Sequence, residues 1–254
     1  MIFKRLDANV RTQNWTAISI ELLIVIIGVF IGIQAANWNQ QRQERRETEL
    51  LLSQLGVELN SFGTLLDSLD GYYAITEKFA DRAAAGWRGD PSVSDNEFVI
   101  SAYQASQINA VSNNATVWAL IFGAEDFRYI EDPEIRRNLA RIMTFDFALV
   151  NLASVSTKYR EDVRRLIPAS VQSAIRKQCG DVQVDGAFPY FRLPPSCDID
   201  LPANEVQVAA NALRARPDLQ GELQWHRAAI ANQLLNVGLL NTLTRDLTGR
   251  IKQL

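Results

Sequence analysis

Hydrophobic positions follow two different patterns along this chain. From Ala17 to Ala36 they are nearly continuous: fifteen of 20 positions are Ala, Val, Ile, Leu or Phe, and only Glu21 carries a charge. At 1.5 Å per residue this window spans about 30 Å, the thickness of a bilayer's hydrocarbon core. Trp15 and Trp38 flank it, where amphipathic rings favour the headgroup region. The apolar region of a cleavable signal peptide is only ~7–15 residues, and no small-x-small site precedes the polar run that follows. The pattern predicts a retained transmembrane helix over 15–37, behind a short cytoplasmic tail over 1–14.

Beyond the window the apolar positions become periodic. Leu52, Leu55, Leu59, Phe62, Leu66, Leu69 and Tyr73 alternate spacings of three and four, a heptad seam over three repeats. The intervening stretch QQRQERRETE is polar and helix-favouring, so the membrane helix is expected to run straight on into this one. Gly56, Gly63 and Gly71 weaken it by about 1 kcal/mol each relative to Ala. Either a coiled coil with a second copy or a packed helix of the chain's own bundle satisfies the seam, and the bundle is the preferred expectation. Trp87 to Pro91 ends this helix; its RGD triplet matches an integrin ligand only by three letters.

Further along, Ser94 and Glu97 form a capping box that opens a helix to about Ser106. A short helix is expected over Thr116–Phe122. Asp132 as N-cap, with Pro133 and Glu134, starts another. Ile135, Leu139, Ile142, Leu149, Leu152, Val163 and Leu166 keep a 3–4 spacing that predicts a helix as far as Pro168, which should kink or end it. A last piece reaches Cys179, with Gly180 as its stop. After a loop, helices are expected over Asn204–Arg216 and from Asp218 to about Leu247. The second carries Leu219, Leu223, His226, Ile230, Leu234, Val237, Leu240 and Leu247 on one broad stripe.

The predicted fold is all-α: an N-terminal transmembrane helix continuing into an extracytoplasmic up-and-down helical bundle over 38–254, with one disulfide-closed loop over 180–203. Composition agrees. Four of the eight prolines fall between Pro189 and Pro202, leaving the rest of the 254-residue chain nearly free of breakers. A net charge of −3 gives no electrostatic footprint for nucleic acid.

Topology rests on the cysteines, because Lys4, Arg5 and Arg11 before the window balance Arg42, Arg45 and Arg46 after it. Cys179 and Cys197 enclose 17 residues rich in Gly and Pro. A disulfide there would contribute roughly 3 kcal/mol, and it persists only in an oxidising compartment. The N-terminus is therefore expected in the cytoplasm and the bulk of the chain outside. Within the anchor, Gly28 and Gly32 form a GxxxG pair that Ala35 continues, and Glu21 lies only about 20° off the same stripe. This predicts pairing with another membrane helix, from a second copy or a partner protein.

The run from Glu21 through Gly28, Gly32 and Gln34 to Asn37-Trp38-Asn39 resembles a family of uncharacterised single-pass bacterial membrane proteins. Their anchor opens on an acid, carries a Gly midway and closes on Q-x-x-N-W-N. Thr116 to Gly123, Ile130 and Asp132 to Arg136 are similar to a second patch of that family. Ala35-Ala36 and the cysteine loop depart from its pattern. The resemblance implies a bacterial inner-membrane protein with a periplasmic domain and no assigned activity. Ile20-Glu21-Leu22-Leu23-Ile24 also resembles type IV pilins, but Thr16 stands where prepilin processing wants Gly, and pilins carry a β-sheet head.

No nucleotide-binding, zinc-protease or nucleophile-elbow motif occurs. The single histidine, His226, lies on an apolar stripe and reads as a core residue. Asp181, Asp185, Asp198, Asp200, Asn204 and Glu205 lack calcium-loop spacing and read as a solvated acidic loop, with no metal or cofactor. Phe188, Tyr190 and Phe191 are expected to anchor that loop to the bundle or, alternatively, to form an exposed contact for a partner; Glu58, Asp67 and Asp70 read as a solvated face. The expectation is a non-enzymatic structural or accessory interaction protein. The alternatives are a periplasmic ligand-sensing bundle, which would signal through a partner because its tail is too short for an output domain, and a pilin-like subunit.

Overall fold

The computed structural model describes residues 15–109, 130–151, 156–186 and 188–253. The expected helix over Thr116–Phe122, the basic residues of the N-terminal tail and Leu152 lie outside them. The chain divides into two compact units, 1–52 and 53–254.

Helix α1 runs from Trp15 to Trp87 without interruption, as the continuous absence of breakers predicts. Within the first unit it is long and apolar enough to cross a membrane, and no residue of its most apolar 18-residue window is buried. Past Trp38, Gln40 donates to Glu44 and Gln43 to Glu47 on successive turns. These are the i,i+4 pairs that hold a polar helix together.

The second unit is helical, with one small sheet. After α1 come α2 (Asp95–Ala105), α3 (Pro133–Met143), α4 (Lys158–Leu166), α5 (Ala169–Cys179), α6 (Ala203–Arg214) and α7 (Leu219–Ile251). Several ends obey local chemistry visible in the sequence. The Ser94 hydroxyl accepts from the Glu97 N–H at the start of α2. The second half of the expected capping box does not form, because the Glu97 carboxylate turns to Arg82 of α1 at 2.6 Å. Asp132 caps α3 by accepting from the Glu134 and Ile135 N–H groups. Pro168 separates α4 from α5, and Gly180 ends α5.

The single helix expected from Asp132 to Pro168 is instead broken. After Met143 the Thr144 hydroxyl bonds back to the Ala140 carbonyl, Asp146 caps a 3-10 turn over Phe147–Val150, and Thr157 caps α4. Side-chain bonds to the local backbone compete with helix here, and they prevail over the apolar spacing. Leu149 is accordingly exposed and Leu166 only half-buried.

A small sheet departs from the expected all-α chain. Val182–Val184 (β1) and Tyr190–Arg192 (β2) pair antiparallel inside the cysteine loop, with Val182 opposite Arg192 and Val184 opposite Tyr190. β-Branched valines next to Asp185-Gly186 are strand and turn chemistry within a stretch that Pro and Gly make look irregular.

α1 and α7 run antiparallel across the core. Arg227 pairs with Glu77 and Arg245 with Asp67. A Cβ on Gly63 would stand 3.9 Å from the Thr244 side chain, and one on Gly56 would stand 3.2 Å from Ile251. α7 also packs on α3 and α4, and α6 packs on α2. There Trp87 Nε1 donates to the Leu213 carbonyl at 2.9 Å, and the Arg214 guanidinium lies over the Phe98 ring. Asp162 joins α4 to the α6–α7 turn by accepting from Lys158 and Arg216, which hold its carboxyl below the usual carboxylate range.

Candidate functional site

The anchor face lies open. Glu21 is half-buried, Gly28, Gly32 and Ala35 are exposed, and a Cβ on either glycine would meet nothing within 4 Å. Ile20, Leu22, Ile24, Phe30 and Ile33 are exposed around it.

The heptad seam meets the opposite fate. Leu52, Leu55, Leu59, Phe62, Leu66, Leu69 and Tyr73 are all buried within this one chain, Leu59, Leu66 and Leu69 completely. A second copy is not needed to cover them. Asp67 is not merely solvated: it accepts from Asn241 at 2.7 Å and pairs with Arg245.

Cys179 and Cys197 are joined, with their Cα atoms 5.5 Å apart. Of the three loop aromatics, Phe188 is the anchor: it is buried, edge-on to Phe62 of α1 at 5.6 Å. Tyr190 is half-buried, while Phe191 is exposed. The acids are dispersed into separate contacts. Asp181 accepts from Tyr72, Asp185 from Gln183 and Glu205 from Ser170. Among the described residues no three His, Cys, Asp or Glu side chains converge on a metal-sized site.

Sequence periodicity does not reveal a polar layer between α2, α4 and α5. The Tyr103 hydroxyl accepts from Arg176 at 3.1 Å and from Arg164 at 3.4 Å, and the Arg164 guanidinium stacks on its ring at 4.8 Å. Arg164 also donates to Gln107, Gln107 to Gln104, and Gln104 to the Cys179 carbonyl. Arg160 donates to the Ser106 carbonyl, and burial together with Arg164 lowers its pKa. The i,i+4 placement of Arg160 and Arg164, on the same helix as the apolar Tyr159 and Val163, is the signal that could have located this layer.

A groove of about 470 Å³ opens between α1 and α7. Its walls are Tyr73, Ala74 and Ala80 on one side and Ile230, Ala231 and Leu234 on the other, with Asp70, Glu77 and Arg227 at the rim. Small side chains make the space, since the alanines leave the two helices without interlocking bulk.

His226 lines this groove. It is a buried residue, as its stripe predicts, with 1% of its surface exposed. Its Nδ1 lies 2.6 Å from the Thr157 hydroxyl, whereas Nε2 has no hydrogen-bond partner. Burial first, and then the Arg160 charge, pushes its pKa down to about 4. The Ala105 carbonyl beside the ring opposes this shift. The ring is neutral at pH 7.

Compared with known protein families, with curated proteins and with solved structures, the chain matches none of them.

Proposed function

We propose that this protein is a single-pass, membrane-anchored helical bundle that acts as an accessory protein, associating laterally through its anchor. The observation that carries this reading is the open face of α1, where Glu21, Gly28, Gly32 and Ala35 share a stripe and nothing covers the glycines. Small residues let a second helix approach closely, and a carboxylate at membrane depth is best accommodated by a protein neighbour. Outside the anchor, Trp225, Leu235 and Leu239 are exposed on α7 within about 80° of one another at 100° per residue, a second apolar contact surface. The disulfide supports placing residues 38–254 in an oxidising compartment, the periplasm of a bacterium, with the N-terminus cytoplasmic.

The test is purification of the full chain from its native membranes in mild detergent, alongside a variant carrying Gly28→Ile and Gly32→Ile. A stoichiometric membrane partner, or a homo-oligomer, that is lost in the variant supports the proposal. A monomeric wild type, or an oligomer unchanged by both substitutions, overturns it.

A further inference from the structure

Three arginines of the polar layer gather without a counter-ion, a feature independent of association through the anchor. We propose that Arg160, Arg164 and Arg176 form a binding site for a phosphate group.

Two helices place them. Arg160 and Arg164 stand one turn apart on α4, and Arg176 comes from the last turn of α5. Arg164 is the central one. It shares the hydroxyl of the buried Tyr103 with Arg176, at 3.4 and 3.1 Å, and its charge acts on Arg160. Its guanidinium is also fixed by the Tyr103 ring at 4.8 Å and by Gln107 at 2.8 Å. Arg176 is exposed and the other two are half-buried, so an ion can reach the cluster from solvent.

Charge is left uncompensated there. Like charges one turn apart on a helix repel, and burial together with Arg164 lowers the Arg160 pKa. Among the described residues no carboxylate pairs with any of the three. The acids of α4 are committed to other cations, Glu161 to Arg165 and Asp162 to Lys158 and Arg216. Asp181 feels Arg164 and Arg160, but it accepts from Tyr72, and burial keeps its carboxyl above the usual range. One carboxylate against three guanidiniums leaves an excess of positive charge in a partly desolvated place, where a counter-ion gains more than in water.

Donors are in surplus too. Each guanidinium carries five N–H groups, and the three make four hydrogen bonds to the described protein between them. Charge-assisted bonds from several guanidiniums suit the oxygens of a tetrahedral dianion, whereas a carboxylate offers two oxygens and a single charge.

The experiment is isothermal titration calorimetry of the full chain in an uncharged detergent, with inorganic phosphate as the probe and nitrate, a planar monoanion, as the comparison. The expected result is one phosphate per chain, bound at least tenfold more tightly than nitrate. Arg164→Gln and Arg176→Gln should each weaken phosphate at least tenfold. Arg165→Gln, which removes the same charge from an exposed position on α4, should leave it unchanged. Because Arg176 is exposed, its variant should keep the fold, as circular dichroism would verify. Tighter binding of glycerol phosphate than of inorganic phosphate would identify a phosphate ester as the ligand; otherwise the free ion suffices. Phosphate bound no more tightly than nitrate, affinity unchanged in Arg176→Gln, or an equal loss in Arg165→Gln overturns the site.

Discussion

The Tyr72 hydroxyl donates a 2.8 Å hydrogen bond to the carboxylate of Asp181, two residues beyond Cys179, and so ties the base of the hairpin to α1. The two partners are unequally placed: Tyr72 is 1% exposed, while Asp181 still reaches solvent. Removing Asp181 therefore leaves a buried hydroxyl unpaired, whereas removing the hydroxyl leaves a carboxylate that water can serve. Asp181→Ala should cost about 1–3 kcal/mol and Tyr72→Phe about 0.5–1.5 kcal/mol. Urea unfolding followed by circular dichroism would show the order; no measurable cost in either variant would mean that this bond does not stabilise the fold.

Two glycines of α1 should respond with opposite signs. A Cβ at Gly71 meets nothing within 4 Å, so Gly71→Ala should stabilise by about 1 kcal/mol through helix propensity alone. A Cβ at Gly86 would stand 2.2 Å from the buried Phe98 ring. Gly86→Ala should destabilise by about 1–3 kcal/mol. Thermal melts of both variants check this, and pairing Gly86→Ala with Phe98→Leu should recover part of the loss.

Reduction offers a third test. Cys179 and Cys197 should resist alkylation under native conditions and react only after a reductant is added. Opening the 18-residue separation should lower stability by roughly 3 kcal/mol. Free thiols in protein taken directly from membranes would remove the support for an oxidising compartment.

His226 sets a pH dependence. Its folded-state pKa of about 4 lies below the 6.5 of the unfolded chain. Between those values the unfolded chain binds a proton that the folded state refuses, so stability is full above pH 6.5 and falls as pH drops toward 4. The loss is on the order of 3 kcal/mol, at ~1.4 kcal/mol per unit. Arg160 opposes the imidazolium, the Ala105 carbonyl favours it, and Thr157 and Tyr159 are its neutral neighbours. In His226→Gln, the urea midpoint should fall less between pH 7 and pH 4.5 than in the wild type. Identical slopes would mean that the imidazole titrates normally.

Features set by neighbouring residues were readable in the chain. The unbroken run to Trp87, the caps at Ser94 and Asp132, the stops at Pro168 and Gly180, and the buried stripe of α7 all depend on a few adjacent positions. The break after Met143 was hidden because apolar spacing continued through it, although Asp146 and Thr157 were the local signal. The candidate site was half legible. His226 could be placed on a buried stripe, but the groove depends on Ala74 and Ala80 facing Ala228 and Ala231. Their positions are some 150 residues apart, and no periodicity reports which faces meet.

That distance along the chain shapes how the molecule is made. The apolar seam of α1 from Leu55 to Tyr73 is made well before α7, which lies against α1 with Arg227 on Glu77 and Arg245 on Asp67. Contacts this non-local slow folding, and transiently bare apolar surface favours aggregation. A chain folding as it is made therefore keeps the stripe from Leu55 to Tyr73 without its α7 cover until that later helix follows, so the order of synthesis and the order of burial run opposite to one another.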